Sequence, residues 1–448
     1  MNYDDAVRYL LSLGRELGAP TQAAAAKFNL ENITILAERL GRPDRAYPSV
    51  HIAGTNGKGS TAAFLEAILR RAGFRTGLYT SPHLERINER IRINGEEIGD
   101  EAFAQCFTRV HVLIEELLAA GKLRAHPTYF ECLTAMALEA FSREGIGFGV
   151  FEAGLGGRLD ATNVISPAVV LLTRIDFDHE NFLGHSLGEI AAEKAGILKP
   201  GVPVVSAPQE AEAGEVIHRR ADELGCRVVE TAGLFHVECE TGEDGCVRAR
   251  VKETATGREF EIAPRLRGRF QLQNALSAVA AVRQLQARGL RIRDDAITAG
   301  VAAAEWPGRL ERLQTRPDVF LDGAHNPGAA RELAAFWEEN FRGRRIRLLF
   351  GALRDKAVDE IAGLLFPRAA EVILTEPRTS RAISAGLLAE MTGHHAVNFL
   401  VLPDAEEALE RALAAAADED VIFVTGSLYL VGQIRHFWKD RMRVLARS

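Results

Sequence analysis

The run Val50-His51-Ile52-Ala53-Gly54-Thr55-Asn56-Gly57-Lys58-Gly59-Ser60 decides the fold. A short apolar run reads as a strand, a glycine-rich loop follows it, and a helical pattern starts near Ser60. Strand, glycine loop and helix in that order make a cradle for phosphates. The glycines let backbone N–H groups turn inward, the lysine brings positive charge, and the helix N-terminus adds its dipole. The loop departs from the usual phosphate-loop spacing: the position of the first glycine is held by Ile52, and Gly59 follows the lysine. The hydroxyl that normally meets Mg²⁺ is therefore displaced to Ser60 or supplied from elsewhere. This altered form points away from motor proteins and GTPases.

Working outward, a helix is expected over 4–17, an Ala-rich connection over 18–30, a helix over about 60–72, and a strand at Thr76-Gly77-Leu78-Tyr79. Helical patterns follow at about 100–120, 128–143 and 186–198, the last stopped by Lys199-Pro200-Gly201. The strands Phe148 to Glu152 and Ala168 to Thr173 are almost continuously apolar, as in a parallel sheet covered on both faces. Short β-type runs between 226 and 263 read as antiparallel strands appended to the sheet edge, and a long helix spans Gln273 to Gly289. Near Trp306-Pro307-Gly308 the character changes. Strand runs at Val319-Phe320-Leu321, Ile346 to Phe350, Val372-Ile373-Leu374, Phe399 to Leu402 and Val421 to Thr425 then alternate with helices. The expectation is an α/β protein: a P-loop-containing, mostly parallel-sheet ATPase domain at 1–303, followed by a smaller Rossmann-like α/β domain at 308–448. No GxGxxG follows the strands of the second part, which argues against dinucleotide binding.

At 448 residues, 47% hydrophobic and 26% charged, the chain has the make-up of a globular protein of two domains. A net charge of −7 gives no global attraction to nucleic acid or anionic membrane, so an anionic substrate needs locally placed basic groups. The acidic start Met1-Asn2-Tyr3-Asp4-Asp5 does not read as a signal peptide, and no apolar run approaches the ~20 residues of a membrane span. Five cysteines without CxxC spacing read as reduced thiols of a cytoplasmic protein. His236, Cys239 and Cys246 lack a fourth ligand at a sensible spacing and do not make a convincing metal cluster.

Polar clusters fall where the pattern places C-terminal strand ends, the ligand edge of an open α/β sheet. Thr80-Ser81-Pro82-His83-Leu84 follows the second strand. Glu152 closes the Phe148 strand, and Asp176, Asp178 and His179 follow the next one. A hydroxyl, a carboxylate and an imidazole at three adjacent strand ends can converge on one cation beside the phosphates.

These motifs resemble the folylpolyglutamate synthase/dihydrofolate synthase family of the Mur ligase superfamily. The resemblance runs through Gly54 to Ser60, Thr80 to Leu84, Gly154 to Asn163, Lys194 to Gly201, Asp322 to Pro327 and Gly426 to Leu430. Ala153, where the family commonly has valine, is the visible departure. The resemblance implies that Thr55, Asn56, Gly57, Lys58, Gly59 and Ser60 hold the ATP phosphates, with Asn274, Arg309 and Asp322 as further nucleotide contacts. It implies Mg²⁺ on Ser81, Glu152 and His179. It places the pterin beside Lys27, Phe28, Thr128, Tyr129, Phe130, Glu131, Leu159, Asp160 and Ala161, and glutamate near His325 and Ser427. Lys194 matches a lysine that carries a carbamate, whose carboxylate would bind a second cation or steer Mg²⁺-linked groups. The family's fold implies a Mur-ligase-like central domain and a C-terminal glutamate-ligase domain, acting as a monomer.

The implied reaction joins L-glutamate to a folate or dihydropteroate carboxylate. A carboxylate does not acylate an amine at neutral pH, so ATP first converts it to an acyl phosphate, which the glutamate amine attacks. Two other readings stay open at this point. A peptidoglycan-precursor ligase would share the ATP domain but needs a further domain ahead of it, and 53 residues before the loop are too few. A nucleotide-dependent switch would leave Ser81, Glu152, His179 and Lys194 without a task.

Overall fold

The strand β1 (Ser49–Ala53) is buried along its whole length, so both faces of its sheet are covered at that position. The computed structural model describes residues 1–14, 29–242, 244–395 and 398–445. Seven further strands join β1: β2 (Thr76–Tyr79), β3 (Ile91–Ile93), β4 (Glu96–Glu97), β5 (Phe148–Glu152), β6 (Val169–Leu172), β7 (Val204–Ser206) and β8 (Val228–Glu230). Their order is β4-β3-β2-β5-β1-β6-β7-β8. From β2 to β8 every pairing is parallel, and the two pairings at one edge, β2–β3 and β3–β4, are antiparallel.

Period-two alternation sorts the side chains. Val50, Ile52, Val150, Val169 and Leu171 pack against the helices Lys58–Arg71, Arg269–Ala287 and Asp294–Ala303. On the other face Tyr79 and Phe151 meet the helices Asp100–Ala119 and Tyr129–Arg143. Ala53, Val170 and Leu172 meet Leu187–Ala195 and Ala211–Glu223. His51 shares that second face. It is fully buried, its Nε2 sits 2.7 Å from Thr162 Oγ1, and desolvation pushes its pKa down to about 3.

The strands β9 (Phe235–Thr241), β10 (Val247–Glu253) and β11 (Glu259–Ile262) correct one expectation. They form a separate antiparallel sheet, ordered β11-β10-β9, and are not appended to the large sheet. The edge there is taken by β8, parallel to β7. Along β10 burial alternates at every residue, and the inward side chains Val247, Ala249 and Val251 join the core beneath Arg269–Ala287. A strand with one apolar face needs a surface to cover, and here that surface is a helix layer.

A third sheet holds β12 (Glu311–Thr315), β13 (Asp318–Leu321), β14 (Ile346–Phe350), β15 (Glu371–Glu376), β16 (Phe399–Asp404) and β17 (Val421–Thr425), in the order β12-β13-β17-β14-β15-β16. All pairings are parallel except the hairpin β12–β13. Phe320 and Phe423 stack at 5.0 Å between ring centroids, and Trp337 from the helix Pro327–Asn340 covers Phe423 at 4.9 Å. Helices cover both faces, so the fold is α/β throughout, with a large parallel-rich sheet and a second α/β unit.

The sequence-read helices start or stop a few residues away from the observed ones. The first ends at Ser12, the loop helix begins already at Lys58, and Leu187–Ala195 stops before Gly196. The expected connection over 18–30 lies mostly outside the described residues.

Gly300 shows how tightly the helix Asp294–Ala303 lies on Lys58–Arg71. A Cβ at Gly300 would sit 2.7 Å from the Ile68 backbone nitrogen and closer still to its Cα. Gly300→Ala should therefore lower unfolding stability by about 1–3 kcal/mol through overpacking. Gly214, inside the helix Ala211–Glu223 with open space at its Cβ position, should instead gain about 0.5–1 kcal/mol as Gly214→Ala. Urea unfolding of the two variants, followed by circular dichroism, checks both signs.

Candidate active site

The chain leaves β1 at Ala53 and turns through Gly54 (φ +147°) and Gly57 (φ +88°), backbone states that L side chains rarely adopt. Side chains are also excluded by space, since a Cβ at Gly54 would overlap Thr173 and one at Gly57 would overlap Asn274. The loop is tied to the exit of β6. The N–H groups of Thr55 and Asn56 donate to the Arg174 carbonyl (2.9 and 3.2 Å). Thr55 Oγ1 donates to the Asp176 carbonyl at 2.9 Å and accepts the Asp176 N–H at 3.0 Å. Behind the loop the helix Lys58–Arg71 begins, with Gly57 as its N-cap and no side-chain cap. Its first N–H groups and their dipole are available to an anion. Gly59 lies against Trp306, and Ser60 is buried in the first turn.

Two lysines reach the same carbonyl. Lys58 Nζ donates to Gly54 O (3.1 Å) and Thr55 O (3.2 Å), and Lys194 Nζ donates to Gly54 O at 2.9 Å. Lys194 is buried. Desolvation first, then the Lys58 charge, bring its pKa down to about 7.

Across β1 from β6 lies Glu152, the last residue of β5. Burial pushes its carboxyl up to about 7, against the opposing pull of Lys58, the Ser81 N–H and more distant arginines. That N–H donates to Glu152 Oε2 at 3.2 Å, and among the described residues no cationic group lies within 4.0 Å of the carboxylate. A buried, nearly unpartnered carboxylate next to a phosphate-type loop suits a divalent cation. His179 follows β6 on the other side of β1, in a left-handed backbone state (φ 54°). Burial and then the Lys356 charge hold its imidazole down to about 3, so the ring is neutral and can offer a lone pair. The sequence reading of three adjacent strand ends is corrected here. Ser81 and Glu152 follow neighbouring strands, but β1 and its loop stand between Glu152 and His179, so the three residues flank the loop.

The second α/β unit presses its own strand ends onto this loop. Asn326 Nδ2 donates to Asn56 Oδ1 (2.9 Å) and to Asp178 Oδ2 (3.1 Å), and Asn56 Nδ2 returns a bond to Asn326 Oδ1 (3.3 Å). Lys356, in the loop that follows β14, pairs with Asp178 Oδ1 at 2.6 Å, with both side chains buried. His325 Nδ1–H donates to the Gly323 carbonyl (2.7 Å), which leaves Nε2 3.6 Å from Asp178 Oδ2. These groups hold the Asp178 carboxyl well below its usual range despite its burial.

A model of the Mur ligase middle domain matches residues 52–282, and a model of the Mur ligase glutamate ligase domain matches 308–428. The dihydrofolate synthase/folylpolyglutamate synthase of Bacillus subtilis is 34% identical over 415 residues, covering 89% of this chain and 92% of the relative. The chain belongs to the dihydrofolate synthase/folylpolyglutamate synthase family. Escherichia coli FolC in complex with DHPP and ADP superposes with a TM-score of 0.85 at 29% identity, covering 99% of both chains. The Yersinia pestis bifunctional folylpolyglutamate synthase/dihydrofolate synthase, complexed with AMPPNP and Mn ion, gives 0.82 at 31% identity, with 96% of this chain and 97% of that one covered.

The remaining residues expected of a family member fall into three groups. Arg309 and Asp322 are neighbours beside Gly323. The buried Asp322 carboxylate accepts from the N–H groups of Leu310 (3.0 Å) and Ala324 (2.9 Å), and burial raises its pKa against the Arg309 charge. Asn274 donates to Gln271 (3.0 Å) and lies against Gly57. Ser427, buried after β17, accepts the Tyr429 N–H at 3.2 Å. Its strand is the neighbour of β13, which leads to His325.

On the expected pterin side, Lys27 and Phe28 lie outside the described residues. Thr128 and Glu131 form a capping box at the start of Tyr129–Arg143, so their side chains first serve the helix. Phe130 lies on Gly154 and 5.9 Å from the Tyr79 ring, and Arg90 lies over Tyr129 at 5.5 Å. Asp160 accepts from the N–H groups of Gly154, Leu155 and Thr162 and from the Thr162 hydroxyl. It therefore shapes the Gly154 loop, with Leu159 half-buried and Ala161 buried beside it.

Lys356 was not among the residues singled out from the sequence. Its signal was its place in Arg354-Asp355-Lys356 just beyond an apolar strand, the rule that located Glu152. Lys356→Met leaves the Asp178 charge buried without its cation and should cost about 3–5 kcal/mol. Combining it with Asp178→Asn should recover part of that loss in a double-mutant cycle measured by denaturant unfolding.

Proposed function

We propose that this protein is an ATP-dependent ligase that joins L-glutamate to the carboxylate of a reduced folate, and of dihydropteroate as well, through an acyl phosphate. The observation that carries this reading is the meeting at one place of a phosphate-type loop, a buried unpaired carboxylate and the strand ends of a second unit. In this reading Thr55 to Ser60 hold the ATP phosphates, and Lys58 leaves its carbonyls to meet the γ-phosphoryl oxygens. Asn274, Arg309 and Asp322 serve the nucleotide. Ser81, Glu152 and His179 hold Mg²⁺, which when bound neutralises phosphate charge as the phosphoryl group moves. The pterin lies toward Phe130 and the Gly154–Ala161 loop, the family resemblance adds Lys27 and Phe28 as pterin contacts, and glutamate lies toward His325 and Ser427.

The phosphoryl group passes to the carboxylate oxygen and ADP leaves. The glutamate amine then attacks the acyl carbon, inorganic phosphate departs, and one proton must be taken from the nitrogen. His325 is placed for that proton. With Nδ1–H held by Gly323 O, its Nε2 is the basic atom, and Asp178 at 3.6 Å stabilises the imidazolium. The Asn56–Asn326 and Lys356–Asp178 contacts support closure of the two units, 1–303 and 308–448, over an intermediate that water would destroy. A monomer in the cytoplasm fits this reading, because one chain carries both halves of the site.

Phosphate release by purified protein, assayed in parallel with dihydropteroate and tetrahydrofolate, tests the function. Sustained release is expected only when a pterin substrate and glutamate are both present. Release with neither, or with ATP alone at the same rate, would overturn it.

Because the Glu152 carboxyl titrates near 7, Mg²⁺ must displace its proton at lower pH. The Mg²⁺ concentration for half-maximal activity should rise as pH falls through about 7. Glu152→Gln should need far more Mg²⁺ at every pH and lose that dependence, which Mg²⁺ titrations at pH 6 and 8 will read.

Lys194 supports the carbamate reading through its burial and its pKa of about 7, which leaves the amine neutral above that pH. A carbamate resonance from ¹³C-bicarbonate should grow as pH rises through 7 and be absent in Lys194→Arg. A parent protein with full activity in CO₂-depleted buffer and no such resonance would remove the carbamate from the mechanism.

A further inference from the structure

Away from the ligation site, four side chains meet where the helices Tyr3–Ser12 and Asp100–Ala119 approach the loop that leads into Tyr129–Arg143. His111 and Glu115 stand one turn apart on Asp100–Ala119, with His111 Nδ1 3.9 Å from Glu115 Oε1. His126 comes from the loop. One ligand atom from each of His111, Glu115 and His126 lies within 4.8 Å of the others. The Tyr9 hydroxyl lies 3.1 Å from His126 Nε2, and the Tyr9 ring meets His111 edge-on at 4.6 Å.

Four features prepare these groups for a cation. His126 Nδ1 lies 2.7 Å from the Pro127 carbonyl. A carbonyl only accepts, so the proton sits on Nδ1 and the lone pair on Nε2 faces the cluster, the way ligating histidines are usually oriented. His111 Nδ1 is buried without a hydrogen-bond partner among the described residues, an arrangement that costs stability unless something occupies the atom. Phe107 stacks on the His111 ring at 5.6 Å and 15°, fixing its plane. Glu115 is 55% exposed, so an ion can enter from solvent and the carboxylate can swing onto it.

We propose that His111, Glu115 and His126 form a Zn²⁺ site that ties the helix Asp100–Ala119 to the loop before Tyr129–Arg143. Two imidazole nitrogens and one carboxylate oxygen suit Zn²⁺, whose Zn–N bonds are about 2.0–2.1 Å, and are poor for Mg²⁺ or Ca²⁺, which take oxygens. Water fills the fourth position. The Tyr9 hydroxyl, no longer donating to His126, turns to the second oxygen of Glu115. Anchoring His126 fixes the peptide leading to Thr128, the cap of the helix that sets Phe130 against Gly154. The ion is structural and takes no part in ligation.

The test uses untagged, EDTA-treated full-length protein in Mg²⁺-containing buffer, titrated with Zn²⁺ by calorimetry and with Co²⁺ by visible absorption. Saturable Zn²⁺ binding and the absorption bands of a tetrahedral Co²⁺ site are expected. Glu115→Gln, exposed and safe for folding, and His126→Gln should each weaken Zn²⁺ binding by about tenfold or more. Asp359→Asn, in the exposed trio Asp359, His394 and His395, and His179→Ala should leave that binding in place. Metal-edge anomalous diffraction should put the peak between His111 and His126. The inference is overturned by no saturable binding, by binding that survives both Glu115→Gln and His126→Gln, or by a peak at His179 or Asp359 alone.

Discussion

Two ammonium groups share one backbone carbonyl, that of Gly54, and the electrostatics of the site follow from that crowding. Lys58 reaches it at 3.1 Å and Lys194 at 2.9 Å. A single carbonyl dipole cannot offset two cations in a desolvated place, so the charges must be spread or lost. Lys194 yields, its pKa brought to about 7 by burial and by Lys58. Glu152 balances from the far side of β1, its own burial only partly answered by Lys58. A pocket built this way holds a reserve of positive potential that polyphosphate oxygens would relieve, with little rearrangement of backbone.

The same loop is where the two α/β units are joined, and the joint is made of two kinds of contact. Asn56 and Asn326 exchange amide hydrogen bonds in both directions, a neutral contact that water replaces at little cost. Lys356 and Asp178 form a buried ion pair. Farther along, Glu85 takes Lys439 at 2.7 Å together with Arg435, and Arg435 also holds Glu311 at 2.9 Å. Parting these ions lets water solvate them, so the interface can open without stranding charge in an apolar place. Leu84 and Phe270 of the first unit also pack against the apolar cores of the second, so the joint combines this polar register with local apolar contact.

Much of this was legible in the sequence, for physical reasons that differ by element. The strands β1, β5, β6, β13, β14 and β17 are buried on both faces and therefore read as apolar runs. The hairpin β3–β4 was missed because Ile91-Arg92-Ile93 is too short for its alternation to show a period, and Glu96-Glu97 has no apolar residue at all. The alternation of β9 to β11 announced one buried face but not the surface it covers, and that surface proved to be a helix layer. The strand-end rule marked the clusters that hold Ser81, Glu152 and His179, the family resemblance picked those three out of them, and their arrangement around β1 needed the strand order. Lys356 stayed hidden because its partner is 178 residues away. Thr128-x-x-Glu131 carried a local capping signal that the resemblance led past, toward the pterin.

His51 gives the fold a weakness that its function does not require. The imidazole sits in the middle of the strand that presents Gly54, buried and neutral, with its pKa near 3. In an unfolded chain the same ring would take up a proton near 6.5. Between those two values the unfolded state binds the extra proton, so falling pH draws the protein toward unfolding. The strand at the centre of the ligand edge is thus also an acid fuse, and acidification acts on the loop's foundation as well as on the ionisable groups that surround it.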